Sequence, residues 1–154
     1  MEIIGADNKF ELLDETSVVG SIGYDGFFSF KANIEIGNSN YKIFSKGIFS
    51  TVTLVTKEDI EVANMKMNFK GHIVISLPNG QEFIVKPMGI FQDKYVLEDQ
   101  YKQKLMLLTP HFNWKCFRYS YTISYETKPN DILLVLLAVY AANYCIAQMS
   151  AAIY

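Results

Sequence analysis

Between residues 10 and 126 the chain alternates apolar and polar positions with a period of two. Phe28, Phe30, Ala32, Ile34 and Ile36 fall on one side, and Ser29, Lys31, Asn33 and Glu35 on the other. Phe117, Tyr119, Tyr121, Ile123 and Tyr125 interleave in the same way with Arg118, Ser120, Thr122, Ser124 and Glu126. Strand side chains point alternately to the two faces of a sheet, so the pattern predicts strands with one buried and one wet face. Shorter runs of the same character occur at 18–24, 41–45, 49–56, 60–67, 72–77, 81–86, 94–97 and 104–108.

Turn chemistry separates these runs: Asp25-Gly26, Gly37-Asn38, Lys46-Gly47, Pro78-Asn79-Gly80 and Pro87 through Gly89. Glycine and asparagine supply the left-handed backbone that tight hairpins need, so the spacing predicts a meander of about ten to twelve short strands. A sheet of that size curls, splits or closes on itself, and a barrel or sandwich is expected.

After residue 126 the period changes. Pro129-Asn130-Asp131 has the chemistry of a helix start, with Asn130 or Asp131 as the cap. Ile132 to Tyr154 then carries no charged side chain and is rich in Leu and Ala. As a helix this segment is about 33 Å long. Two readings compete. It is long and apolar enough for a tail anchor, or it is a core helix that protein surrounds on every side. Asn143, Gln148 and Ser150 dilute its second half, its alanines make it slim, and Lys128 is its nearest upstream cation. These features favour the core helix, since a membrane segment usually has a basic flank. Eleven-stranded barrels enclose a central helix, and the strand count here is in that range. The expected fold is therefore mainly β: one domain, 1–154, whose strands from about 10 to 126 form a closed antiparallel barrel of about 12 around a helix at about 131–151.

Composition narrows the function. Half of the 154 residues are hydrophobic, 19% are charged and the net charge is −2. Arg118 is the sole arginine and the lysines form no run, which argues against a nucleic-acid partner. Cys116 and Cys145 make no framework, and the N-terminus lacks the basic start and long apolar core of a signal peptide. A cytoplasmic location is the expectation.

Candidate chemistry is sparse. Cys116 and His111 lie five residues apart and could pair as thiol and imidazole if the chain turned sharply between them. An inert cysteine beside a loop histidine is the expected reading, and Cys145 is expected to fill core. His72, His111, Cys116 and Cys145 lack the spacing of a zinc site. Asp14-Glu15, Glu58-Asp59 and Glu98-Asp99 are adjacent acids at strand ends, expected as solvated turn formers rather than a facing catalytic pair. No phosphate-binding or hydrolase motif occurs. Trp114, Tyr119, Tyr121 and Tyr125 are expected in the core rather than as a stacking platform. No catalytic, cofactor-binding or metal-binding residue is assigned, and no cofactor is expected.

The segments Tyr41 to Phe49, Phe117 to Tyr125 and Asp131 to Asn143, taken with the Asp/Gly turns, resemble the tubby C-terminal-like superfamily. That group includes tubby domains, LURP-one-related proteins and phospholipid scramblases. The resemblance implies a twelve-stranded barrel wrapped around a hydrophobic C-terminal helix. The chain departs from scramblases in lacking a Pro-rich N-terminal region, a Cys-rich stretch and an acidic loop matching their proposed calcium site. In tubby domains basic side chains on neighbouring strands hold a phosphoinositide headgroup. No basic motif here matches that site, and Lys42, Lys46, Lys66 and Lys70 are expected as solvated surface lysines.

A helix in the lumen leaves no room for an interior small-molecule ligand, so function is expected on the outer surface or loops. The leading expectation is a non-enzymatic binding module that meets a protein partner or anionic phospholipid headgroups. It requires lysines from several strands to converge on one patch. The alternatives are a scramblase-like protein with its terminal helix in lipid, and an enzyme of unrecognised type.

Overall fold

The computed structural model describes residues 1–26, 29–47, 51–91, 93–113 and 118–153. These form twelve strands: β1 (Glu2–Ala6), β2 (Lys9–Asp14), β3 (Ser17–Tyr24), β4 (Ala32–Ile36), β5 (Ser39–Ser45), β6 (Val52–Lys57), β7 (Ile60–Met67), β8 (Ile73–Ser76), β9 (Glu82–Met88), β10 (Lys94–Asp99), β11 (Lys104–Asn113) and β12 (Arg118–Ser124). Helix α1 (Ile132–Ile153) follows. Every strand pairs antiparallel with its sequence neighbours, and β1 pairs with β12 to close the barrel. Closure leaves no edge strand for another chain to pair with.

Local chemistry sets the register. Asp7-Asn8, Glu15-Thr16, Gly37-Asn38 and Glu58-Asp59 are two-residue turns, with positive φ at Asp7, Glu15, Gly37, Glu58 and Asp59. Such turns match the twist of the strands they join, which offsets the cost of a left-handed acidic residue. Residues 77–81 reverse the chain through Gly80 at φ +89°, with Gly80 N donating to Leu77 O. Register shifts at Leu12/Leu13, Val55/Thr56 and Leu97/Glu98 mark bulges. Bulges add local twist and bend, which closing a sheet requires.

The strands start earlier than the alternation suggests. β1 and most of β2 precede or overlap the start of the clear period-two region, and Ile3 of β1 is fully buried. Phe28, Phe49, Trp114, Cys116 and Phe117 lie outside the described residues.

Helix α1 starts where the sequence places it. Asp131 is the cap: its Oδ1 accepts from Leu134 N at 3.1 Å, and its carbonyl accepts from Val135 N at 3.2 Å. Each residue from Val135 to Ala142 is at most 3% exposed, because the barrel wall surrounds this stretch. Ile132–Met149 has the length and mean hydropathy, 1.9, of a membrane span, yet 61% of it is buried inside the protein. A helix apolar all round is what a fully enclosing wall selects.

Gly20 on β3 fixes how α1 sits. A Cβ at that position would lie 2.9 Å from Leu136 Cδ1 and 3.3 Å from Ile132 Cγ2. A side chain here would press on both residues and on Glu35 O at 3.3 Å, so glycine eases the close approach of the helix to this wall. The helix packs chiefly on β3 and β4 and, across the barrel, on β9.

A meander alternates its connections between two rims. The connections β2–β3, β4–β5, β6–β7, β8–β9, β10–β11 and β12–α1 form one, and the remaining six form the other. We call these the acidic rim and the aromatic rim, for reasons that follow.

Candidate functional site

The second half of α1 reaches the aromatic rim, and polar side chains hold it there. Asn143, 5% exposed, accepts from Tyr121 Oη at 2.6 Å and donates through Nδ2 to Tyr24 Oη at 3.0 Å. Tyr140 Oη donates to Phe30 O at 2.7 Å, and its ring stacks on Tyr24 with centroids 5.9 Å apart. Burial pushes the Tyr140 phenol far above its ordinary pKa, so it stays a donor. Tyr144 packs its ring on Phe30 at 4.8 Å. These contacts all draw the helix toward β3, the β3–β4 connection and β12.

The opposite wall is left underfilled. A cavity of about 360 Å³ opens between α1 and the wall made by β6, β7 and β8. Met65, Ile73, Tyr140 and Ala141 are buried at its floor, and Thr51 and Lys66 are exposed at its mouth. The premise that the helix fills the lumen therefore fails at this end of the barrel.

The aromatic rim also carries bulky apolar side chains in water. Phe69 in the β7–β8 connection is 97% exposed, and Ile90 and Phe91 in the β9–β10 connection are 95% and 84% exposed. Lys70 Nζ lies 5.9 Å from the Phe69 ring centre, within range of a cation–π contact.

Cations gather beside these tips. Lys46 N donates to Val52 O, and Val52 pairs with Lys66, so Lys46 and Lys66 flank Val52 in one row across β5–β7. Both lysines are exposed, as are Lys70 and Lys94. Burial, then Lys86, then Lys70 lower the His72 pKa, against a smaller opposing effect of Glu98. The imidazole thus registers a cationic neighbourhood in a protein of negative net charge. Among the described residues of this sector the carboxylates are Asp93 and Glu98, and Glu98 pairs with Lys86 at 2.9 Å.

The acidic rim differs. Glu15, Glu58, Asp59, Glu82 and Asp99 cluster in and beside its turns. Asp14 pairs with Lys128 and anchors the segment leading into α1. Asp99 Oδ1 accepts from Tyr101 N and Gln103 N, both at 2.9 Å. These adjacent acids shape turns and do not face one another across a cleft.

The remaining candidates resolve individually. His111 Nε2 lies 2.8 Å from Thr122 Oγ1 on the neighbouring strand, and Cys116 lies outside the described residues. Cys145 is buried in α1, and burial pushes its thiol up to about 11, away from reactivity. Tyr121 is core, as expected, and Tyr125 packs against the core at its border. Among the described residues no three His, Cys, Asp or Glu side chains group to hold a metal.

Sequence reasoning missed the rim. Its signal was present in the placement of Phe or Ile in alternate connections, but it becomes legible only when the topology assigns those connections to one end. The chain matches no family model, no curated protein and no solved structure.

Proposed function

We propose that the protein is a non-enzymatic module that docks on an anionic membrane surface, aromatic rim first. One observation carries this reading: exposed Phe69, Ile90 and Phe91 stand at the same end of the barrel as Lys46, Lys66, Lys70 and Lys94. Apolar tips enter the interfacial region and the lysines meet lipid phosphates. Each basic residue near such a surface contributes about 1 kcal/mol, and each half-inserted apolar side chain contributes a similar amount. The acidic rim then faces water, where its carboxylates avoid repulsion by the membrane. Large apolar side chains left singly on a surface are ordinary, but several at one end with clustered cations mark an interaction site.

The resemblance to the tubby C-terminal-like superfamily forms part of the same proposal. A meander of twelve strands around a C-terminal helix agrees with what that resemblance implies. The reading keeps Ile132–Met149 inside the barrel, since moving it into lipid would empty a core built around it.

Co-sedimentation with vesicles tests the docking. Vesicles rich in phosphatidylserine should pellet the protein at low salt, neutral phosphatidylcholine vesicles should not, and added salt should release it. The Lys66→Gln/Lys70→Gln double variant should bind roughly thirtyfold more weakly, from about 1 kcal/mol per lysine. Equal pelleting with neutral and anionic vesicles, or none with either, would discard the proposal and turn attention to a protein partner.

A further inference from the structure

The cavity beside α1 follows from how the helix is tethered. Gly20 admits Leu136 and Ile132 to the β3 wall. Asn143, Tyr140 and Tyr144 then bind toward Tyr24, Tyr121 and Phe30. The hydrogen bonds of Asn143 and Tyr140 and the ring contacts of Tyr140 and Tyr144 are made with Tyr24, Phe30 and Tyr121, away from β6, β7 and β8. Slim Ala141 is what α1 presents on the vacant side, together with the edges of Tyr140 and Tyr144.

The lining selects the occupant. Met65, Met67, Ile73 and Ala141 are apolar, and thioether side chains adapt to irregular shapes. Two of the polar groups in the lining are already engaged within the protein. Tyr140 Oη donates to Phe30 O, and Asn68 Oδ1 accepts from Lys70 N and His72 N, each at 3.0 Å. Lys66 and Thr51 are exposed at the mouth, while the half-buried Thr53 and Tyr144 add a hydroxyl each along the walls. Apolar depth with one cation at the opening fits a chain with an anionic head.

Size sets the chain length. A methylene occupies a volume close to that of one water, about 30 Å³. The 360 Å³ cavity therefore holds an alkyl chain of about a dozen carbons.

We propose that this cavity binds the alkyl chain of an anionic single-chain amphiphile, a fatty carboxylate or the equivalent chain of a membrane lipid, with its head beside Lys66. The site stands on the cavity and does not depend on membrane docking.

Calorimetric titration of the full chain with dodecanoate, kept below its micelle concentration, tests it. One saturable site is expected. Ala141→Phe fills the floor and should weaken binding at least about tenfold, the effect of losing burial of about two methylenes. Thr53→Phe obstructs the mouth from the wall side, leaves the buried helix untouched and should do the same. Lys66→Gln should weaken binding a few-fold. Absence of saturable binding in the wild type would overturn the proposal. So would undiminished affinity in Thr53→Phe with a native circular dichroism spectrum and cooperative melt, whether or not Ala141→Phe folds.

A second arm identifies the source of the chain. If protein bound to anionic vesicles no longer takes up dodecanoate, a membrane lipid occupies the cavity. Undiminished uptake assigns the site to a free carboxylate. Dodecanoate binding without vesicle binding would sink the docking reading and leave this site standing.

Discussion

At the acidic rim three of the turns, Glu15-Thr16, Gly37-Asn38 and Glu58-Asp59, use the two residues that a hairpin minimally needs. At the aromatic rim the connections β3–β4, β5–β6, β7–β8 and β9–β10 run five to seven residues. Strand reversal does not require that extra length. The short turns spend left-handed acidic residues on register, and their charge is solvated. The longer ones carry Phe69, Ile90 and Phe91 outward, at a solubility cost that folding does not explain. Length alone does not separate the rims, since Asp7-Asn8 at the aromatic rim is also a two-residue turn and residues 77–81 at the acidic rim number five. What separates them is the exposed apolar side chains of the longer aromatic-rim connections, which the barrel itself does not require. Bulky apolar residues do occur at the acidic rim, where Ile60 and Tyr101 are 68% and 81% exposed. There each stands among charges of both signs, Lys57, Glu58, Asp59 and Glu61 for Ile60 and Asp99, Lys102 and Lys104 for Tyr101, so the cations are offset by carboxylates in the same turns.

The largest effect should come from exchanging the tips. Phe69→Ser, Ile90→Ser and Phe91→Ser together should weaken binding to anionic vesicles roughly a hundredfold, at about 1 kcal/mol for each half-buried side chain. Melting temperature should hold, since these side chains touch little of the fold. The matched triple at the other rim, Val18→Ser, Ile60→Ser and Tyr101→Ser, should leave vesicle binding unchanged. Equal losses from both triples would erase the distinction between the rims.

Next comes the tether that draws α1 toward one wall of the aromatic rim. Asn143→Leu removes the hydrogen bonds to both Tyr121 Oη and Tyr24 Oη and should cost about 2 kcal/mol in chemical denaturation. Tyr121→Phe added to it should cost less than it does in the wild type, because the Asn143 bond is already gone, a coupling that a double-mutant cycle reads directly. Full additivity of the two substitutions would mean that the network does not hold the helix.

How much of this was readable beforehand divides along physical lines. Period-two alternation located β4, β7 and β12 well, because one face of each is core and the other is wet. The closing strand β1 escaped notice, since Glu2-Ile3-Ile4-Gly5-Ala6 is short and weakly alternating. Its identity rests on the pairing of Ile3 with Tyr121, a contact across almost the whole chain. The helix cap at Asp131 was local chemistry and so was legible. Asn143 looked like a polar dilution of an apolar helix; its partners Tyr24 and Tyr121 are 119 and 22 residues away. Lys46 and Lys66 were visible as flanking residues, while their place in one row depends on Val52 standing between them. The cavity had no sequence signal, because it arises from the difference between two packed walls.

The smallest effect concerns His72, and it tests whether the cationic sector acts as a unit. The charged groups acting on its imidazole are Lys70, Lys86 and Glu98, and burial together with both lysines lowers its pKa. In the free protein the unfolded chain then binds the proton more readily than the folded one. Stability therefore declines as pH falls below about 6.5 and levels off once the folded imidazole is also protonated. An anionic surface acts in the opposite sense to the lysines and raises the same pKa, so docking takes up a proton. Affinity for phosphatidylserine vesicles should accordingly rise as pH falls between about 8 and about 5. The imidazole is partly exposed and screened, so the gain should be only about twofold. His72→Gln should flatten that rise. A rise that survives in His72→Gln would separate His72 from the docking surface and confine that surface to the lysines and the apolar tips.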